Sequence, residues 1–352
     1  MGYGLTGLNI LKSLVSQGHH VSLWPIGQVE CPQDCVDVIK EARFRAEHCY
    51  NKHAHSLRIW HQWDLAQHVG RGPHCGFPIF ELDRFTEAER WQMGQQDLLF
   101  VASQWAKWTL VEAKIRDESF IEVAPLGVDH TIFHPFVARS FDFSKPEATV
   151  FLNVGKWEVR KGHDVLYKAF CKAFTPSDNV HLVMACYNPC KEKAYSDSWK
   201  RLYEGCALGK KITVIDGRLP NQESVAGLMA SVDCGVFPSR AEGWNLELGE
   251  MMAMGKVAIA TNNTAHTEYV TKENCLLIET PDMEIAYDGL WFHGQGGWAK
   301  FGNDQEDQLI SHLRGVHAAK QGSNIAPTNQ SGIETMKRFT WDNTAQKIVD
   351  QL

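Results

Sequence analysis

The sequence predicts an α/β protein built as two domains, on three observations. The chain has 352 residues, long for one hydrophobic core and suited to two. Short apolar runs of strand length alternate along it with stretches of helical spacing. Several strand-to-helix junctions carry glycines, cations or carboxylates, and ligands of doubly wound sheets bind at such junctions.

Composition bounds the function classes. A hydrophobic content of 44% with 22% charged residues is ordinary for a globular protein. The net charge of −7, with no basic block to reverse it locally, argues against a nucleic-acid partner. No apolar run reaches the roughly 20 residues of a membrane span, and no signal peptide is read at the start. The ten cysteines are scattered. Cys31/Cys35 and Cys186/Cys190 have a spacing that occurs in zinc sites but lack matching histidines. Free thiols in a reducing cytoplasm fit them better.

Taken in order, the chain opens on Gly2, Tyr3, Gly4, Leu5, Thr6 and Gly7, ahead of a helix over 8–15 and a strand over 20–24. Gly2 and Gly4 are either a flexible start or the glycine loop of a first strand–loop–helix unit. Nothing before them can form the strand that such a loop should follow. The expectation is therefore a fragment, or a start assigned too late, with a gap beside the 20–24 strand where unpaired backbone edges remain. Residues 34–50 read as a polar helix. A strand over 57–60 puts His61 just past its carboxyl end, where sites sit in open sheets. His53, His55, His68, His74 and Cys75 crowd the same region but match no closed zinc pattern, and the four histidines read as surface polarity. A strand over 76–80 leads into Glu81, Leu82, Asp83 and Arg84. Thr86 with Glu89 predicts a capping box. After a strand over 97–102, Ser103 caps a helix through Lys114. The polar stretch 138–146 is the expected linker.

The second domain starts with a strand over 149–154 and a loop carrying Lys156, Arg160 and Lys161. Three cations on one loop repel unless an anion sits among them. Strands follow over 182–186 and 212–215, then Asp216, Gly217, Arg218 and Leu219, and a helix over 221–230. Next come a strand over 234–237, a loop, a helix over 246–254 stopped by Gly255, and a strand over 257–260. Glu242 lies in that loop and Glu250 eight positions on, about one turn into the helix. The helix start suits an anion such as a phosphate, and Gly243 lets backbone approach it closely. A phosphate cradle beside two carboxylates is what a sugar-nucleotide site needs, since carboxylates accept from sugar and ribose hydroxyls. The last clear strand covers 275–278. Residues 289–302 read as an irregular aromatic insertion, either a packed loop or a flap toward an acceptor. A closing helix follows Phe339, Thr340, Trp341 and Asp342.

Pro238, Ser239, Glu242, Gly243, Trp244, Leu246 and Glu250 together resemble the Glu-x7-Glu signature of retaining glycosyltransferases with the GT-B fold, the family 4 type (glycosyl transferases group 1). Pro125, Gly127, Val128 and Asp129, followed by Phe133 and Pro135, resemble that family's inter-domain passage. The resemblance implies two Rossmann-like domains facing across a cleft: an acceptor-side domain over 1–140, a nucleotide-sugar domain over 141–330, and a closing helix over 331–352 crossing back. It implies transfer of a sugar from a nucleotide diphosphate sugar, with retention, to a glycan, lipid-linked or small-molecule acceptor. It assigns Glu242 and His61 to the transferred sugar and Glu250 to the ribose. The diphosphate falls to Lys156 and Lys161 and to the helix start at Gly243, Trp244, Asn245 and Leu246. Lys156 stands where the family usually has Arg, a point charge in place of a fork, and Arg160 compensates. Gly217, Arg218 and Leu219 lie against the base, and Gly2 and Gly4 form the glycine loop where acceptor and donor meet. The implied enzyme is metal-independent, needs no cofactor and is cytoplasmic. No Asp-x-Asp motif occurs to hold a metal. The rival readings are a catalytically inactive glycan- or nucleotide-binding GT-B protein and a GT-B sugar-nucleotide epimerase. Such epimerases lack the Glu-x7-Glu arrangement.

Overall fold

The computed structural model describes residues 2–143, 147–323 and 327–352. Residues 144–146 of the expected linker lie outside the described residues. The chain divides into two compact units. Unit 1 is Met1–Phe80, Arg84–Gly127 and Phe339–Leu352; unit 2 is Glu81–Asp83 and Val128–Arg338. The division thus falls at Gly127/Val128, ahead of the 138–146 stretch.

Unit 1 comprises α1 (Gly2–Ser16), α2 (Val36–His48), β1 (Ser56–Ile59), β2 (His74–Phe77), α3 (Glu87–Gly94), β3 (Leu98–Val101), α4 (Gln104–Glu112) and β4 (Ile121–Val123). The four strands pair in parallel in the order β1-β2-β3-β4. Leu99, Val101, Leu110 and Ile121 bury against Leu65, Phe80 and Met93. The Thr86 capping box and the Ser103 cap form as their spacing predicts. Two expectations fail. Gly2 and Gly4 lie inside helix α1, not in a loop, and neither has a positive φ. Residues 20–24 join no ladder among the described residues. Their alternation serves side-chain packing instead: Val21 and Leu23 lie against Leu11, Cys35 and Ile39, and the Leu23 N–H donates to Ala42 O on α2 at 2.9 Å. Of the histidines read as surface polarity, His68 is half-buried and bonds Ser56 Oγ and Gln96 Oε1.

Unit 2 runs β5 (Thr149–Gly155), α5 (His163–Ala173), β6 (Val180–Cys186), α6 (Lys193–Glu204), β7 (Ile212–Ile215), α7 (Gln222–Ala230), β8 (Cys234–Phe237), α8 (Leu246–Ala253), β9 (Val257–Thr261) and β10 (Leu276–Ile278). These strands form one parallel sheet in the order β10-β9-β8-β5-β6-β7. Strands β6 and β8 are buried throughout, as expected of a parallel sheet covered on both faces. From β5 the chain steps outward to β7, then returns to β8 on the other side of β5. The 289–302 stretch read as an irregular insertion instead contains a strand, β12 (His293–Ala299), which pairs antiparallel with β11 (Met283–Tyr287) just ahead of it. Its glycines hid the strand: Gly294 has φ 94° and Gly296 packs at Leu82 and Asp83, where a Cβ would meet Asp83 Oδ1 at 3.1 Å. Helices α9 (Asn303–Ser323) and α10 (Gln330–Met336) complete the unit, and α11 (Trp341–Val349) belongs to unit 1, where it packs on α1.

Candidate functional site

The reversal of strand order between β5 and β8 makes unit 2 a doubly wound sheet with a switch point, the place where such sheets bind ligands. Two loops meet there, 156–162 after β5 and 238–245 after β8. Gly162 has φ 72°, and a Cβ on it would lie 1.9 Å from Pro238 O, so only glycine lets the loops touch. The Arg240 N–H donates to Arg160 O at 2.7 Å. The Arg240 guanidinium donates to Val159 O and forks onto Asp164 at 2.8 and 2.9 Å, tying the second loop to the start of α5.

The cations of the first loop find carboxylates of the protein. Arg160 Nη1 donates to Ala241 O at 2.7 Å and to Glu242 Oε2 at 2.8 Å, and its Nη2 to Glu158 Oε2 at 2.9 Å. Glu81 Oε1 stands 3.8 Å from the same nitrogen. Lys161 Nζ lies 2.8 Å from Glu242 Oε1, and Lys156 Nζ 2.8 Å from Glu158 Oε1. Glu242 also accepts from Ser239 Oγ at 2.7 Å, and its N–H donates to Thr264 Oγ1. Burial alone would raise Glu242, but Arg160 and Lys161, with smaller help from His266, hold it far below the usual carboxylate range. It is a fixed anion. The anions that the three cations require are thus Glu158 and Glu242 themselves, and Arg160 is taken up by them and by the Ala241 carbonyl.

Asn245 carries the strain of the second loop, with φ 79° at the N-cap of α8. Its Oδ1 accepts from the Leu248 N–H and its Nδ2 donates to His266 Nε2 at 3.0 Å. His266 Nδ1 donates to Thr261 O, which fixes a neutral ring. Burial pushes His266 down to about 4. Tyr269 Oη donates to the Trp244 and Asn245 carbonyls, holding the chain from below. Because Asn245 caps Leu248, the Leu246 and Glu247 N–H groups have no protein acceptor among the described residues, and the dipole end is open to an anion. Gly243 and Trp244 are buried beneath it. Glu250 is buried on α8, 8% exposed, and burial first, then Glu247, push it well above the usual carboxylate range.

Unit 2 therefore brings together Lys156, Arg160, Lys161, Glu242 and the start of α8, with Glu250 on that helix. Gly217, Arg218 and Leu219 follow the edge strand β7, two strands from β5. In unit 1, His61 follows β1 and Tyr3, between Gly2 and Gly4, rests its ring 4.5 Å from it. Sequence reasoning missed Glu158, Glu81, Thr264 and His266 as members. Glu158, alternating with the loop's cations, was the one legible signal.

Residues 148–289 match the family described as glycosyl transferases group 1. The D-inositol 3-phosphate glycosyltransferase of Corynebacterium glutamicum is 27% identical over 172 residues, 47% of this chain and 40% of that protein. The GDP-mannose-dependent alpha-(1-6)-phosphatidylinositol dimannoside mannosyltransferase of Mycobacterium tuberculosis is 28% identical over 166 residues, 46% of this chain and 41% of that protein. The matches span less than half the length of these relatives. Among solved structures, the sucrose-phosphate synthase of Thermosynechococcus elongatus has a TM-score of 0.68 at 18% identity, over 97% of this chain and 90% of that one. A glycosyltransferase of Rickettsia africae scores 0.67 at 14% identity, over 99% and 93%. The Anabaena protein HepE, solved with UDP and glucose, scores 0.62 at 15% identity, over 100% and 95%. At such identities the likeness establishes the fold, which is GT-B with two Rossmann-like domains.

Proposed function

From a chain that has the GT-B fold and resembles the glycosyl transferases group 1, we propose a transferase that moves a sugar from a nucleotide diphosphate sugar to an acceptor with retention at the anomeric carbon. The observation that carries this reading is the Lys161–Glu242–Arg160 cluster beside the open start of α8 at the switch point. In the proposed step the bond from the anomeric carbon to the phosphate oxygen breaks and the acceptor oxygen attacks from the same face. The leaving phosphate takes the acceptor's proton. Charge then builds on the diphosphate, where Lys156, Lys161 and the Leu246 and Glu247 N–H groups stabilise it; such preorganised stabilisation is usually the largest single contribution. Glu242, ionised and fixed by two cations, accepts hydrogen bonds from the sugar hydroxyls, and Glu250 from the ribose. Arg160 positions Glu242 and leaves the diphosphate to the two lysines. His61 contacts the sugar being transferred, and Gly217, Arg218 and Leu219 lie against the base. The reaction runs without a metal or other cofactor, and the acceptor is a glycan, a lipid-linked sugar or a small molecule.

The test is a thermal-shift screen of nucleotide sugars, followed by donor hydrolysis without acceptor. A matched donor at 100 times its Kd stabilises by about 2.7 kcal/mol. Lys161→Ala should weaken nucleoside diphosphate binding at low salt, and unchanged affinity would remove Lys161 from the diphosphate. Binding without hydrolysis, and without transfer to any acceptor, would overturn the enzymatic reading.

A further inference from the structure

The cations around Arg160 are matched by carboxylates before any ligand arrives. Lys156, Arg160 and Lys161 are linked to Glu81, Glu158 and Glu242 in one continuous run of ion pairs. Three positive charges meet three negative ones in that run, and Glu247 on α8 acts on Lys161 as a further carboxylate. A nucleotide sugar brings two more negative charges on its diphosphate. Beside Arg160, Glu158 and Glu242, whose side chains are 3–5% exposed, unbalanced charge is costly, and the carboxylate held least firmly relieves it by taking a proton.

The three carboxylates are held unequally. Glu158 and Glu242 each touch two cations within 2.9 Å, with side chains 3% and 5% exposed. Glu242 has a further donor in Ser239. Glu81 has one cation, Arg160, at 3.8 Å, shares it with the other two, and is 31% exposed. It reaches the cluster because the short segment Glu81–Asp83 belongs to unit 2, where Asp83 Oδ1 accepts from the Gly297 N–H at 2.7 Å and anchors the segment on the hairpin.

Resting on the donor reading above, we propose that nucleotide-sugar binding is coupled to uptake of one proton by the Glu81 carboxylate. The proton comes from solvent and joins a carboxylate oxygen; no bond of the donor changes. The charged groups facing Glu81 are Arg160, Glu158 and Lys156 from the loop after β5 and Glu242 from the loop after β8. Burial, then the nearby Glu158 and Glu242, already hold Glu81 above the usual carboxylate range against the pull of Arg160 and Lys156. Glu250 on α8 is raised as well, by burial and then by Glu247, so the substitutions at Glu81 are what tell the two carboxylates apart. Affinity for the donor therefore strengthens as pH falls toward Glu81's titration, by up to tenfold per pH unit for one coupled proton.

The experiment is titration calorimetry of the full chain with whichever intact nucleotide sugar the thermal screen selects, UDP-glucose and GDP-mannose being tried first. It is run at one pH in phosphate, imidazole and Tris buffers, whose ionisation heats differ. The intact donor is used because its two phosphates do not titrate near neutrality. The expected result is net uptake in the wild type, lost in both Glu81→Gln and Glu81→Ala, with a flattened pH dependence of Kd. Binding without uptake, or uptake that survives both substitutions, overturns the proposal while leaving the donor reading intact. If no nucleotide sugar binds, the donor reading falls and the proposal with it.

Discussion

The two units are made of the same parts and treat charge in opposite ways. In unit 1 the strands follow one another across the sheet, β1 to β4, with no reversal among the described residues. Its best-formed ion pair, Arg58 with Asp64 at 2.9 Å, keeps side chains 13% and 21% exposed. Unit 2 reverses its strand order between β5 and β8 and holds Arg160, Glu158 and Glu242 at 3–5% exposed. The difference teaches what a switch point does. Where two loops leave neighbouring strands in diverging directions, backbone from both sides can wrap a cation, and buried charges find enough partners to persist. A sheet without a reversal has one loop at a time to offer.

The largest effect should come from breaking the wrapped charge. Arg160→Met leaves Glu158 and Glu242 buried beside the lysines alone, and removing one member of a buried ion pair typically costs about 3–5 kcal/mol. Arg58→Met in unit 1 should cost about 1 kcal/mol or less, because water screens a part-exposed pair. Urea denaturation of both variants compares them directly. Equal costs would mean that the two units do not differ in how they hold charge.

The pH dependence of stability sharpens the same contrast. His163 and His266 are buried in unit 2, and burial depresses them to about 3 and about 4. Below the unfolded pKa near 6.5, the unfolded chain binds protons that the folded chain refuses, so stability is full above 6.5 and falls with pH. The loss from His266 is complete near 4 and that from His163 near 3. It amounts to about 1.4 kcal/mol per pH unit for each group. Glu81 and Glu250, raised by burial, work in the opposite direction, so the clean measurement is a difference. His266→Gln against wild type should narrow its stability deficit as pH drops from 6.5 to 4; a constant gap would show that the folded chain protonates His266 normally.

How much of this was legible follows from what each feature depends on. The strands of the parallel sheet in unit 2 were readable because buried parallel strands are continuous apolar runs, and the start of α8 because a glycine-bearing loop precedes a helical spacing. The pairing of Arg160 with Glu242 was not: the two are 82 residues apart, and only the β5–β8 adjacency joins them. The 20–24 segment shows the converse. Its alternation is real, but alternation records a buried face and not the ladder partner, and here α2 supplies the burial. Gly2 and Gly4 misled for a related reason. A glycine signals a loop only where its backbone or its bare Cα is needed, and neither is needed on α1.

That last point makes a pair of substitutions. Gly162→Ala puts a Cβ against Pro238 O at a left-handed φ, and should cost more than about 1 kcal/mol while loosening the two loops of the site. Gly4→Ala meets nothing within 4 Å and should stabilise by about 0.5–1 kcal/mol, the helix preference for alanine. Thermal melts of both would decide it. A stabilised Gly162→Ala would mean the loops do not meet as described, and a destabilised Gly4→Ala would place that glycine in a strained turn.

A small stability effect should belong to the residue of unit 1 with the largest proposed functional one. His61 is half-buried among rings, with centroids 4.5 Å from Tyr3, 5.2 Å from Trp60 and 5.4 Å from Trp63, the last nearly parallel. Its replacement by alanine removes these ring contacts, worth about 1 kcal/mol. If His61 contacts the transferred sugar, His61→Ala should still lower the transfer rate at least about tenfold, since a contact made in the transition state and worth about 1.4 kcal/mol is a factor of ten. Nucleoside diphosphate affinity, which the proposed roles of Lys156 and Lys161 set within unit 2, should not move. Measuring rate, melting temperature and nucleotide affinity on the one variant separates the outcomes: transfer at the parent rate would remove His61 from the sugar, and a fall in nucleotide affinity would mean that the charge cluster of unit 2 does not by itself set diphosphate binding.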